Sequence, residues 1–234
     1  MKNRIYFTIS FLLLALLLMQ SAEAQTPNQM LQGVYKMVML AKDYSVDANI
    51  KVDLPFIKIL PINAKIYFKQ LDKFKVESKS IAIVPRQGFD QFTKMLKDTT
   101  TFTSIVTGKE QIGTTETIVL NIIPNADTSD LILGKLWLNK KENVILKSQL
   151  TTKSNGTILT EFTYGNQISY GLPDLMVFTV DIKKFKIPKS VSADVNNAKV
   201  TEEEKKKNDR KGKIFITLSN YIINKGINDD VFKK

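Results

Sequence analysis

Residues 131–152 read LILGKLWLNKKENVILKSQLTT. Two runs rich in leucine, isoleucine and valine flank Asn139-Lys140-Lys141-Glu142-Asn143, a polar, Asn-bounded segment of the kind that reverses a chain. The stretch predicts an antiparallel hairpin, Leu131–Leu138 against Val144–Thr152. Successive strand side chains point to opposite faces, so Trp137 lies opposite Leu136 and Leu138; its place in a strand reads as packing rather than ligand stacking.

Outward from this hairpin the pattern repeats. Downstream, Ser154-Asn155-Gly156 and Gly171-Leu172-Pro173-Asp174 are turn signals around candidate strands Ile158–Tyr164 and Met176–Ile182, and Lys213–Ile223 follows. Upstream lies Thr115–Ile123. Nearer the N-terminus, Val46, Ala48, Ile50, Val52 and Leu54 alternate with polar residues, as do Ile62, Ala64, Ile66 and Phe68, then Phe74 and Val76. A further strand is read at Ile81–Val84 and a short helix at Phe89–Leu96. Pro27–Tyr44 carries Met30, Leu31, Val34, Met37, Val38 and Ala41 at helical spacing, which predicts an amphipathic helix. The polar stretch 190–213, with Thr201-Glu202-Glu203-Glu204-Lys205-Lys206-Lys207, reads as a solvated lysine-rich insertion. The expected fold class is mainly β with α. It is a curved antiparallel sheet or half-open barrel of about ten strands with a small helical lid.

The N-terminus carries Lys2 and Arg4, an apolar run from Ile9 to Met19, and Ala22-Glu23-Ala24. That run is too short for a bilayer core, which needs about 20 residues, and the small residues fit a signal-peptidase site. The expectation is a cleaved signal peptide, 1–24, and one β domain, 25–234, in the periplasm. The chain has no cysteine and no histidine, which removes thiol chemistry and the commonest general base and transition-metal ligands. Glycine-rich phosphate loops, nucleophile elbows and acidic calcium loops are absent as well. No cofactor and no enzymatic activity are expected. The net charge is +11, but almost all of it is lysine; Arg86 and Arg210 are the only arginines after residue 24. Bidentate base and phosphate contacts favour arginine, so no nucleic-acid partner is expected.

A curved sheet with few helices offers an apolar concavity, in which each buried methylene contributes roughly 0.8 kcal/mol. Strand parity nominates Ile50, Val52, Ile66, Phe68, Phe74, Val76, Leu146, Leu150, Phe162 and Phe178 as its lining. Parity alone does not separate such a cavity from a filled core.

Two stretches resemble the lipoprotein-carrier (LolA-like) family. Leu71-Asp72-Lys73-Phe74-Lys75-Val76 is similar to its turn into a basic-aromatic-basic strand, without the proline often found there. Leu136-Trp137-Leu138-Asn139-Lys140-Lys141, with Leu146-Lys147 and Ser154-Asn155-Gly156, resembles its central hairpin. The resemblance implies a half-open barrel with a helical lid that shields the acyl chains of lipoproteins or other lipids, passing them from an inner-membrane donor to an outer-membrane acceptor as a monomer. Where the best-known carriers hold the lid with an arginine on an early strand, this chain has Lys51, Lys65 and Lys69. Two other functions are compatible with the residues: a periplasmic sensor or scaffold that binds protein through an edge strand or the 199–213 segment, and a hydrolase built on paired carboxylates.

Overall fold

The structure, a computed structural model, describes residues 25–54, 57–58, 60–70, 73–78, 96–154, 156–181 and 211–233. The expected signal peptide, the strand at Ile81–Val84, nearly all of the helix at Phe89–Leu96 and the insertion up to residue 210 lie outside the described residues.

The first element is helix α1, Pro27–Val38. Its start is fixed by a capping box: Thr26 Oγ1 accepts the Gln29 N–H at 3.3 Å while Gln29 Oε1 accepts the Thr26 N–H at 2.8 Å. Pro27 sits in the first turn, where its missing N–H costs nothing. The helix ends six residues before the expected Tyr44. Tyr44 instead pairs with Phe68 on one side and Ile223 on the other: two ladders supply more backbone partners than another helical turn.

Among the described residues eleven strands follow: β1 Asp43–Leu54, β2 Ile57–Lys58, β3 Ile62–Lys69, β4 Lys73–Ser78, β5 Phe102–Ile112, β6 Thr115–Pro124, β7 Leu131–Asn139, β8 Val144–Thr152, β9 Gly156–Thr163, β10 Leu175–Asp181 and β11 Lys211–Ile223. Ten form one antiparallel path, β4-β3-β1-β11-β10-β9-β8-β7-β6-β5, and β2 pairs with β1 beside it. The path is curved and unclosed, with β4 and β5 at its ends. Most strands fall within two residues of their sequence-predicted bounds. β5 was not predicted. It carries polar residues on both faces and is largely exposed, as an outermost strand with a single neighbour can be. The signal available for it was Gly113, which takes φ 58 in the turn to β6.

One face of the sheet is mostly apolar, and its buried apolar side chains form two clusters. The first joins β1, β3, β10 and β11 through Val46, Ile50, Ile66, Phe178, Ile214 and Ile216. The second places Met30, Leu31 and Val34 of α1 on Leu120, Ile122, Leu136, Leu138 and Ile145, with Leu96 and Phe102. Phe162 packs against both.

Leu31 is 0 % exposed in the second cluster. Leu31→Ala is expected to lower unfolding free energy by about 2–5 kcal/mol, and Thr26→Ala by about 1 kcal/mol, both read from urea melts.

Candidate functional site

The inner face is continuous from one end of the sheet to the other because paired residues in antiparallel strands share a face. Ile50 faces Ile216, Ile216 faces Met176 and Met176 faces Phe162. One rung along, Phe178 faces Thr160, Thr160 faces Ser148 and Ser148 faces Leu136. Ser148 and Thr160, both buried, are thus a polar interruption between the two clusters.

Nine of the ten residues nominated by parity lie on this face. Ile50, Val52, Ile66 and Phe178 are fully buried in the first cluster, against which Phe74, Val76 and Phe162 pack half-buried. Leu150 packs against the second cluster, and Phe68 stacks on Tyr44 with ring centroids 5.1 Å apart. Leu146 is the exception. Trp137 pairs with Lys147, but Leu138 pairs with Ile145, so Leu146 is the extra residue of a bulge that reverses parity. Ile145 takes the inward position and is 2 % exposed.

Sequence reasoning missed two aromatics at the end of this face where β1 begins. Tyr44 was absorbed into the helix, although it shares the parity of Val46. Tyr221 has the wrong parity relative to Leu218. It turns inward because Asn220 adopts φ 55 where three steps of β11, Ser219 to Ile222, oppose two steps of β1, Asp47 to Ser45. The two rings lie 5.9 Å apart, and the Tyr221 hydroxyl donates to the Pro173 carbonyl at 2.7 Å. Burial pushes the phenols of both well above the usual tyrosine range; Tyr44 and Asp174 add to the shift at Tyr221. Both therefore stay neutral, and the inner end is aromatic without being charged.

Polar clefts lie elsewhere. One of about 320 Å³ is lined by Thr107, Asn121, Lys135, Gln149 and Thr151 on the outer face, and another of about 820 Å³ runs between α1 and Asn143. Neither is lined by any of the ten nominated residues. Among the described residues no group of three or more acidic side chains could hold a metal, and no helix is long and apolar enough to cross a membrane.

Trp137 occupies the outer face as a packing residue. Its Nε1–H donates to Glu110 Oε2 at 2.6 Å, and Lys135 donates to Glu110 Oε1 at 2.9 Å. The ammonium groups of Lys135 and Lys147 stand 4.6 and 4.7 Å from the indole centroid. The group ties β5 to β7 and β8. The indole hydrogen bond, then the Lys135 hydrogen bond, hold the Glu110 carboxyl below its usual range. A depressed folded-state pKa means the contribution is complete at neutral pH and is lost as pH falls through that value. Trp137 emission is accordingly expected to hold steady from neutral pH into the mildly acidic range and to shift red only below it. Glu110→Ala should give the red-shifted spectrum already at neutral pH.

No protein-family model and no curated protein matches the sequence. Solved structures do match in shape. A LolA superfamily protein from Nitrosomonas europaea superposes with a TM-score of 0.58 at 11 % identity, over 90 % of this chain and 99 % of that one. A domain assigned to outer membrane lipoprotein sorting, from Vibrio parahaemolyticus, gives 0.57 at 10 % identity, over 88 % and 95 %. A DUF1329 family protein from Desulfovibrio piger gives 0.55 at 13 % identity, over 89 % and 98 %. With a curved, unclosed antiparallel sheet and a helix packed on its apolar face, this chain has the LolA-like fold.

Proposed function

We propose that the chain is exported, is cleaved after Ala24, and works in the periplasm as a single-domain carrier or chaperone. It takes the acyl chains of lipoproteins or other lipids against its inner face for transfer towards the outer membrane. The observation that carries this reading is the largely apolar inner face of an unclosed sheet, which ends in the half-buried ring cluster of Tyr44, Phe68, Phe74 and Tyr221. The fold shared with a lipoprotein-sorting domain adds support. An acyl chain needs no specific polar partner; it needs contiguous apolar surface, at roughly 0.8 kcal/mol per methylene. The proposed lining is the nine inward residues nominated above, with Ile145 in the place of Leu146. The carrier is expected to act without covalent chemistry, with an inner-membrane donor and an outer-membrane acceptor as its partners.

A second reading, a periplasmic protein-binding sensor or scaffold on the same fold, draws support from a different observation. Much of the inner face is filled: Ile50, Ile66 and Phe178 are 0, 2 and 2 % exposed. At the same time, the end strand β5 leaves Ile105 and Val106 47 and 44 % exposed, as an edge available to another strand.

Native mass spectrometry of the protein purified without detergent separates the two. The carrier reading expects a population heavier by an acyl lipid, and its loss in Phe68→Asp while circular dichroism still reports a folded sheet. A single unliganded mass that stays unliganded when lipid is added back overturns it in favour of the scaffold.

A further inference from the structure

The segment after β11 returns to the β3–β4 hairpin and brings an anion to it. Asn224, at φ 55, pins the turn: its N–H donates to the Asp43 carbonyl at 2.9 Å. Its Oδ1 accepts the Lys42 N–H at 2.7 Å and its Nδ2 donates to the Leu40 carbonyl at 2.9 Å. A 3-10 turn, Asp229–Phe232, then starts at Asn228, whose Oδ1 accepts the Asp230 N–H at 3.0 Å. Asp229, the first residue of that turn, reaches back to the hairpin. One carboxylate oxygen accepts Lys69 at 2.7 Å and the other accepts Lys73 at 2.7 Å. Lys69 also donates to the Ile227 carbonyl at 2.9 Å.

Lys69 and Lys73 face each other directly across the β3–β4 ladder. Like charges in that position repel, so the rung calls for an anion, and Asp229 supplies one from within the chain. Two ammonium groups around one anion are also the point charges with which lysines bind a phosphate. The three side chains are 35, 41 and 56 % exposed, so the contact is screened and exchangeable rather than a source of stability. Lys75 lies on the same outer face of β4, and the next rung, Phe68 opposite Phe74, is on the inner face.

We propose that the Lys69–Lys73 rung is a docking site for the anionic headgroups of a lipid surface, and that Asp229 fills it in cis until a headgroup phosphate displaces it. Docking there sets the aromatic end of the inner face beside the lipid. Only that last consequence rests on the carrier reading.

The test is co-sedimentation of residues 25–234, the form left by the proposed cleavage, with phosphatidylcholine vesicles, with and without phosphatidylglycerol. Binding is expected only with phosphatidylglycerol, and should weaken as salt is added. Each lysine near an anionic surface is worth about fivefold in binding. Asp229→Asn should therefore bind roughly fivefold tighter, and the Lys69→Gln/Lys73→Gln pair more than tenfold weaker. The Lys69→Arg/Lys73→Arg pair should bind as the parent does, which controls for folding. Unchanged binding in Asp229→Asn or in the glutamine pair overturns the proposal, as does loss in the arginine pair or equal binding of inorganic phosphate that leaves vesicle binding uncompeted. Bound acyl mass is scored separately, so a chain that docks but carries no lipid upholds the site and counts against the carrier.

Discussion

The apolar face that most strands of an open sheet share has to be kept from water, and that requirement organises the rest of the molecule. Helix α1 is short and covers the β5–β8 part, through Met30, Leu31 and Val34. On the remaining face β1, β3, β10 and β11 share one cluster. Phe162 belongs to both groups, and the Ser148–Thr160 rung lies between them. The face is therefore divided into a part under the helix and a part shared by β1, β3, β10 and β11, with hydroxyls at the division.

Much of this was legible because strand parity is a local rule. Val46 to Val52, Ile62 to Ile66 and Met176 to Val180 obey it without exception, and their burial follows the alternation. Parity failed where the backbone inserts a residue. At Leu146 a bulge turns Ile145 inward, and at Asn220 a left-handed residue turns Tyr221 inward. Nothing in the composition of these strands marks the first bulge. Asparagine, among the few residues that tolerate positive φ, hints at the second. Helix α1 was overrun for a related reason: Asp43 and Tyr44 continue an acceptable helical pattern, and only the tertiary ladders reveal them as strand.

The outer face was the less readable one. β5 has no apolar alternation, since its role as an end strand leaves it solvated. Trp137 signalled packing correctly, yet the partner that satisfies its N–H, Glu110, comes from that unpredicted strand. The contact between Asp229 and the β3–β4 hairpin spans some 160 residues of sequence, and charges that far apart carry no spacing to read. Apolar pattern specifies which face is buried; it does not specify which distant polar groups meet on the other.

The join between β1 and β11 has a further consequence. Residues 43–54 pair with the nearby β2 and β3 along one flank, but along the other they pair with residues 211–223, whereas β5 to β10 each find a neighbour among adjacent segments. Among the described residues, a chain delivered N-terminus first thus holds β1 with one long flank unpaired until residues 211–223 have emerged. Closing a loop of that size costs entropy before any contact repays it. The β5–β10 meander is free to assemble early, and β11 then acts as the last piece, stitching the waiting N-terminal strands to it. Whatever keeps the chain from aggregating during that interval must protect the exposed flank of β1.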